Sequence, residues 1–171
     1  MLRYATLLTM DTARRVDLLE GTLAKQLSWI AAADTKTGFI FGVAAAMLGL
    51  LASAAPGYGK WTPLGVALAV VASALLFASL ACAVLTIFPR TAGPRLSVIF
   101  FGGIASRNID AFRTDMQSLT DESYEEDLTQ QCHINASIAS QKYRWVKFAS
   151  VLLAASVLPW VAAAYMLFRD R

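Results

Sequence analysis

The chain has 171 residues, of which 57% are apolar and 16% are charged, with a formal net charge of +3. A soluble domain of this size needs more charge to cover so large an apolar fraction, so the composition excludes an ordinary soluble globular protein. Three apolar runs, from Thr37 to Ala55, from Pro63 to Phe88 and from Phe148 to Phe168, contain no Asp, Glu, Lys, Arg or His. Each is about as long as the ~20 residues that a helix needs to cross the hydrocarbon layer. The sequence therefore predicts an all-α membrane protein with three transmembrane helices.

The N-terminal arm has the pattern of an amphipathic helix. Five aliphatic residues recur at steps of three and four along one stripe: Val16, Leu19, Leu23, Leu27 and Ile30. The pattern is compatible both with a helix that packs or lies on the membrane surface and with a helix that senses a ligand. Because the first apolar run begins behind this charged arm, we expect a retained span and not a cleaved signal peptide.

The first span carries two rows of small residues, each with a spacing of four. One row is Gly38, Gly42 and Ala46, and the other is Ala45, Gly49 and Ser53. Small residues at this spacing let two helix backbones approach closely in lipid. We therefore predict a helix–helix interface on this span, and the pattern leaves open whether the partner helix belongs to the same chain or to another chain.

Turn and proline residues mark the ends of the second span. The sequence from Pro56 to Lys60 is typical of a turn. Pro63 is expected at the first position of the second helix, where its missing N–H costs nothing. Pro89 and Pro94 are expected to end that helix.

The central segment contains two predicted helix starts. The pair Gly102-Gly103 predicts that no regular helix forms around it. Asn108 is the predicted N-cap of a short helix that ends near Leu119, and Thr120 is the predicted N-cap of a long helix that continues into the third span. The acidic residues in the first turns of that long helix are Asp121, Glu122, Glu125, Glu126 and Asp127. We interpret them as an ordinary solvated helix start that the macrodipole favours.

The distribution of Lys and Arg predicts the orientation. The arm and the central segment together carry twelve of these residues, and the loop and the tail carry three. Because cytoplasmic segments carry the excess of Lys and Arg, we expect the N-terminus and the central segment to be cytoplasmic. The predicted segments are a cytoplasmic arm (1–36), transmembrane 1 (37–55), a periplasmic loop (56–62), transmembrane 2 (63–88), a cytoplasmic helical segment (89–147), transmembrane 3 (148–168) and a periplasmic tail (169–171).

The chain shows no motif of a known catalytic or metal site. His133 is the only histidine, and the two cysteines, Cys82 and Cys132, lie in different segments. We expect no zinc site, no disulfide and two small buried thiols. No serine-hydrolase motif or phosphate-binding loop occurs, and the spans hold no ionisable residue of the kind that transport paths use. The sequence therefore disfavours an enzyme and a secondary transporter.

Charged residues at the predicted membrane edge are the candidate functional residues. Asp34 and Lys36 precede the first span, and Lys142 and Arg144 precede the third span. An ion pair between Asp34 and Lys142 would join the two helices in a medium that is less polar than bulk water. The alternative interpretation is ordinary positive-inside charge on side chains that reach toward the headgroups.

Three short blocks, in their order and position relative to the spans, resemble the transmembrane effectors of Pycsar, a bacterial anti-phage system built on cyclic pyrimidine nucleotides. The blocks are Ala33-Asp34-Thr35-Lys36-Thr37-Gly38, Phe100-Phe101-Gly102-Gly103-Ile104-Ala105 and Ile138-Ala139-Ser140-Gln141-Lys142-Tyr143-Arg144. In that family an adjacent cyclase makes cyclic CMP or cyclic UMP on infection, and the effector responds by impairing the inner membrane.

The resemblance implies an abortive-infection effector in the bacterial inner membrane, with a small cytoplasmic helical cap. It implies cyclic CMP or cyclic UMP as the activating ligand, with no other cofactor, and a pyrimidine nucleotide cyclase and the lipid bilayer as partners. We further expect a homo-oligomer, no nucleic acid partner, no enzymatic activity, and ligand or switch roles for Asp34, Lys36, Lys142 and Arg144. The alternative is a passive membrane scaffold or anchor subunit that senses no ligand.

Overall fold

The computed structural model describes residues 11–55, 57, 60, 62–89, 93–94 and 96–169. Of these residues 86% are helical and none lies in a strand, which confirms the predicted all-α fold. The helices of the described residues are α1 (Thr12–Ser53), α2 (Pro63–Ile87), α3 (Phe101–Ala105), α4 (Ile109–Gln117) and α5 (Asp121–Arg169).

Three of these helices, α1, α2 and α5, are long and apolar enough to cross a membrane, as judged by length and composition. They contain the three predicted apolar runs, apart from the last residues of the first two runs, and they support a multi-pass membrane protein. The predicted amphipathic arm and the first span belong to one helix, α1. The part of the arm from residue 1 to residue 10 lies outside the described residues.

The ends of α2 are set by local sequence. The Thr62 hydroxyl accepts a hydrogen bond from the Gly65 N–H at 3.3 Å, and Pro63 follows as the first helical residue. The helix ends at Ile87, directly before Phe88 and Pro89. Both boundaries confirm the prediction. Of the predicted turn before α2, Pro56, Tyr58 and Gly59 lie outside the described residues.

The two predicted N-caps in the central segment are confirmed. The Asn108 side chain accepts from the Ala111 N–H at 2.8 Å, and α4 begins at the next residue. The Thr120 hydroxyl accepts from the Ser123 N–H at 3.3 Å, and α5 begins at Asp121. Helix α5 continues through Pro159.

The prediction that Gly102-Gly103 prevents a helix is wrong, because both glycines lie in the short helix α3. Gly102 is required for a close approach: a Cβ there would lie 2.5 Å from the Phe100 ring, and a Cβ at Gly93 would lie 2.6 Å from the same ring. The Ser97 hydroxyl oxygen accepts hydrogen bonds from the N–H groups of Ile99 and Phe100 just before the helix. Gly93 and Gly102 therefore leave room for an aromatic ring, and the pair Gly102-Gly103 does not interrupt the helix.

The chain divides into two compact units. Unit 1 contains the described residues up to Ile30 and those of Pro89–Ser140, and unit 2 contains those of Ala31–Phe88 and from Gln141 onward. The core of unit 2 is built from small and aliphatic residues of α1, α2 and α5: Ala44, Leu51, Ala54, Ala72, Leu76, Ala163 and Leu167. Small residues allow the close packing that holds helices together in lipid. The Trp160 indole N–H also donates to the Met47 carbonyl at 2.8 Å.

Both small-residue rows of α1 face outward. All six of their residues are exposed in the chain. An added Cβ at Gly38, Gly42 or Gly49 would meet no atom within 4 Å. These glycines are therefore not needed for helix packing within one chain, and an interface between chains stays a prediction.

Candidate functional site

The structure pairs two of the four predicted membrane-edge residues. The Lys142 ammonium donates to the Asp34 carboxylate at 2.5 Å, which confirms the expected ion pair within unit 2. The Lys142 side chain is only 10% exposed, whereas that of Asp34 is 43% exposed. Burial of an ammonium group is costly unless a partner compensates its charge, so Asp34 stabilises Lys142 in place.

The other two predicted residues rest on aromatic rings. The Lys36 ammonium lies 5.5 Å from the centroid of the Tyr143 ring, and the Arg144 guanidinium lies 5.9 Å from that of Trp145. Both distances are within the range of cation–π attraction. Lys36 and Arg144 are exposed, and in the described residues no ion pair joins either of them to Asp34. The four candidates therefore form one ion pair and two separate cation–aromatic contacts.

Small residues beside the ion pair bring α1, α2 and α5 together in unit 2. Ala33 lies near the start of the part of α1 that belongs to unit 2. It is fully buried, as is Ala149 of α5, and both belong to one cluster with Ile40 and Val146. The Ser79 hydroxyl of α2 donates to the Ala149 carbonyl at 2.9 Å. The Asp34–Lys142 ion pair thus lies on helices that pack closely within unit 2. Movement of either residue would require the neighbouring buried side chains to repack.

In unit 1, hydrogen bonds join the segment just before α3, at Ser97 and Val98, to Asp127 of α5. The Asp127 carboxylate accepts from the Ser97 hydroxyl at 2.9 Å and from the Val98 N–H at 2.8 Å. Glu125, in the same acidic group, accepts from the Arg15 guanidinium at 2.7 Å. The interpretation of the acidic residues as a purely solvated helix start is therefore wrong for these two, because each binds another segment of unit 1.

A second contact links α1 and α5 within unit 1. The Tyr124 hydroxyl donates to the Glu20 carboxylate at 2.7 Å. This hydrogen bond, together with partial burial, raises the pKa of Tyr124, which lies well before the apolar run of α5. Cys132 donates weakly to the Leu19 carbonyl at 3.5 Å, and burial raises the pKa of its thiol. Both cysteines are free thiols. Cys132 is buried, as predicted, whereas Cys82 is only half-buried.

Arg107 fixes the loop around α3. Its guanidinium donates to the Asp115 carboxylate at 2.5 Å, to the Gly103 carbonyl at 3.0 Å and to the Ser97 carbonyl. It also lies 5.6 Å from the centroid of the Phe112 ring. The side chain is 11% exposed. Arg107 is thus held by acceptors within the protein.

A cavity of about 470 Å³ lies beside Arg107 in unit 1. Its charged lining residues in the described chain are Arg107, Asp115, Glu126 and Asp127. The lining contains three carboxylates and one guanidinium, and that guanidinium already donates to acceptors of the protein. The cavity is therefore acidic. Such a lining repels the phosphate of a nucleotide, so the cavity is a poor site for an anionic ligand.

A second cavity in unit 1 has a different character. It measures about 260 Å³ and is lined by aromatic, aliphatic and amide side chains: Leu23, Leu27, Ile99, Phe100, Phe101, Gln131, Ile134, Asn135 and Ile138. We call it the Phe100–Phe101 pocket. An apolar pocket with a few polar groups is the usual form of a small-molecule site. Leu27 is 52% exposed and lies at this pocket, so the predicted stripe of α1 is not buried along its whole length.

A model of the Pycsar effector protein domain matches residues 18–169. The chain belongs to the Pycsar effector family. Searches of curated proteins and of solved structures gave no match. The match covers most of this Pycsar effector, including all three candidate membrane spans, and places it in an anti-phage family of membrane effectors.

The three blocks that carry the resemblance occupy the places just described. The first block of this Pycsar effector holds Asp34, and the third holds Lys142, so the ion pair joins two of the blocks. The second block supplies Phe100 and Phe101 to the Phe100–Phe101 pocket. Ile138 of the third block also lines this pocket, so short blocks far apart in sequence meet in two places, one in each unit.

Several polar residues of this Pycsar effector had no signal in the sequence. Ser97, Arg107 and Asn135 occur singly, without a spacing or a motif that marks them. The Ser97 hydroxyl contacts Asp127 of α5, whereas the Arg107 guanidinium contacts the Ser97 carbonyl and Asp115. Asn135 donates to the Gln131 carbonyl within α5 itself. Asp127 belongs to the acidic group at the start of α5, where the helix macrodipole already accounts for negative charge. Its hydrogen bond with Ser97 is therefore visible only in the structure.

Proposed function

We propose that this Pycsar effector responds to a cyclic pyrimidine mononucleotide, cyclic CMP or cyclic UMP, made by a partner cyclase, and that the response impairs the bacterial inner membrane. The observation that carries the proposal is the family match over residues 18–169, which includes three helices suited to a bilayer. The proposed working form is a homo-oligomer with its N-terminus and central segment in the cytoplasm. The rival is a passive membrane anchor that senses no ligand.

The arrangement of the helices supports a ligand-controlled membrane effect. Helices α1 and α5 each contribute residues to unit 1 and to unit 2. A ligand shifts an equilibrium between two arrangements only by the difference in its affinity for them. A nucleotide that binds unit 1 and prefers one arrangement of α1 and α5 would therefore change which packing of the spans is populated.

The effect on the bilayer does not need a polar pore through one chain. The apolar runs of the three candidate spans hold no Asp, Glu, Lys, Arg or His. Most residues of these spans are not buried in the single chain, since only 28%, 22% and 17% of their most apolar windows are buried. Exposed apolar helix surface in a bilayer contacts lipid or other helices. Impairment would thus arise from a change in packing between copies or at the lipid contact.

The proposal is tested by dye release from liposomes that carry the full chain. Cyclic CMP or cyclic UMP should release the dye, whereas 5′-CMP and cyclic AMP should not. Binding of the same nucleotides to the protein in detergent should be measured by calorimetry. If neither cyclic pyrimidine binds and neither releases dye, the passive anchor is the better account of this protein.

A further inference from the structure

An apolar groove in unit 2 runs between α1 and α5. It measures about 410 Å³, and its lining extends from Lys36 to Met47 on α1 and from Val146 to Val157 on α5. We call it the α1–α5 groove. Apart from Lys36, the only polar residue of this lining in the described chain is Ser150, whose hydroxyl donates to the Val146 carbonyl within α5 at 2.8 Å. The groove therefore carries a single charge, and that charge lies at one end of it.

The length of the groove matches one leaflet of a bilayer. On each helix the lining covers eleven residue steps, a rise of about 16 Å, which is about half of a hydrocarbon layer of about 30 Å. On α1 the lining begins directly before the apolar run that starts at Thr37, and on α5 it begins two residues before the run that starts at Phe148. The groove thus extends from the membrane edge to about the middle of the bilayer, which is the depth that the acyl chains of one leaflet occupy.

The charge at this membrane edge of unit 2 is unbalanced. In the stretches 31–36 and 141–147 Asp34 is the only acid, and the basic residues are Lys36, Lys142, Arg144 and Lys147. Asp34 already accepts from the buried Lys142. Lys36 is exposed, and in the described residues no ion pair joins it to an acid. A cation without an acidic partner therefore lies at the edge of an apolar groove.

The lining of the groove differs from a surface that another helix would pack against in lipid. Close helix contacts in a bilayer need small residues, whereas Phe39 on the groove is 72% exposed. The small-residue rows of α1, which include Gly38 and Gly42, do not line the groove and lie roughly a third of a turn around the helix from it. The groove is therefore suited to a flexible acyl chain, and a second copy of the protein has a different face of α1 available.

We propose that the α1–α5 groove binds an anionic phospholipid, with one acyl chain along the groove and the headgroup phosphate on the Lys36 ammonium. The inference rests on the membrane spans and does not depend on a response to a nucleotide. Basic pockets between helices at the membrane edge bind anionic headgroups. A zwitterionic headgroup carries an ammonium group that the surplus of Lys and Arg repels, so a headgroup with a net negative charge is preferred.

The test uses the full chain, purified in detergent and stripped of lipid, with dioleoyl phosphatidylglycerol and dioleoyl phosphatidylcholine as probes. The two lipids have the same acyl chains and differ in headgroup charge, and titration followed by native mass spectrometry measures the binding of each. The parent should bind the phosphatidylglycerol about tenfold more tightly. Lys36→Gln should remove this preference. Lys147→Gln is the matched control, because Lys147 is an exposed base at the same edge that does not line the groove, and it should reduce the preference by about threefold or less.

A bulky residue in the groove tests the position of the acyl chain. Ala154 lines the groove and Ala155 does not, although both are exposed on α5. Ala154→Phe should weaken binding of the phosphatidylglycerol by about tenfold, because the added ring occupies the space of the acyl chain. Ala155→Phe should leave binding unchanged. Thermal unfolding in detergent should show that both variants are folded, as expected for substitutions at exposed positions.

Four results would overturn the proposal. Equal binding of the two lipids by the parent would remove the headgroup preference. Equal losses for Lys36→Gln and Lys147→Gln would reduce the effect to a general attraction between basic residues and anionic lipid. Unchanged binding by Ala154→Phe would place the acyl chain elsewhere. Smaller assemblies of the Ala154→Phe protein with unchanged lipid binding would assign the groove to a second copy of the chain.

Discussion

A buried ammonium group and a half-exposed carboxylate share one ion pair at residues 142 and 34. The two partners differ in environment, since the Lys142 side chain is 10% exposed and that of Asp34 is 43% exposed. Loss of the acid leaves a buried charge without compensation, whereas loss of the base leaves a carboxylate that water still reaches. The two single variants are therefore not equivalent.

We predict that Asp34→Ala destabilises the protein by about 2 kcal/mol and that Lys142→Met destabilises it by less. The value for Asp34→Ala is below that of a fully buried pair because solvent reaches the carboxylate. Thermal unfolding in detergent measures both variants. The double variant Asp34→Ala with Lys142→Met should be more stable than Asp34→Ala alone, since no uncompensated charge remains. Equal losses for the two single variants would contradict the asymmetry.

At the scale of the element, α3 is a short helix in which Gly102 leaves space for the Phe100 ring. Gly102→Ala should move this ring, because the added methyl group would lie 2.5 Å from it. We expect a loss of stability of about 1–3 kcal/mol and a weaker response to the nucleotide. Gly21→Ala in α1 is the matched control, since nothing lies within 4 Å of its added methyl group. It should stabilise the helix by up to about 1 kcal/mol. A Gly102→Ala protein as stable as the control would show that the ring moves freely.

A second prediction at this scale concerns assembly and involves the glycines in the apolar run of α1. Because added side chains at Gly42 and Gly49 meet open space in the single chain, Gly42→Leu and Gly49→Leu should leave the fold of each chain intact. If the small-residue rows join copies, these variants should form smaller assemblies in native mass spectrometry. An unchanged assembly for both variants would remove this face of α1 from any interface.

All the helices except α3 were predictable from the sequence because their signals are local. Thr62, Asn108 and Thr120 cap helices through bonds to residues three positions away, and the apolar runs need no partner to be recognised. The Asp34–Lys142 pair was predictable because both residues stand at the ends of apolar runs. In contrast, Asp127 binds Ser97 and Val98 in the segment before α3, and the sequence carries no sign of that contact. The effect of the Gly102-Gly103 pair was predicted wrongly for the same reason, since the position of Gly102 beside the Phe100 ring depends on the fold.

At the scale of the whole molecule, the orientation in the membrane is an open prediction. The excess of Lys and Arg in the arm and the central segment predicts that both face the cytoplasm. A cysteine at exposed Gly57 should then react with an impermeant thiol reagent added to intact cells, and a cysteine at exposed Ser123 should not. Both variants carry Cys82→Ser and Cys132→Ser to remove the native thiols. Reversed labelling would invert the topology.

The length of α2 has a consequence for the bilayer itself. Its 25 residues rise about 37 Å, several ångströms more than a hydrocarbon layer of about 30 Å. The helix contains no charged residue, and prolines stand at its start and just after its end. A uniformly apolar rod of this length creates a hydrophobic mismatch, which the membrane relieves by tilting the rod or by thickening around it. The part of the mismatch that tilt does not absorb deforms the surrounding lipid, so a small change in tilt, multiplied over many copies, would change the thickness of the membrane.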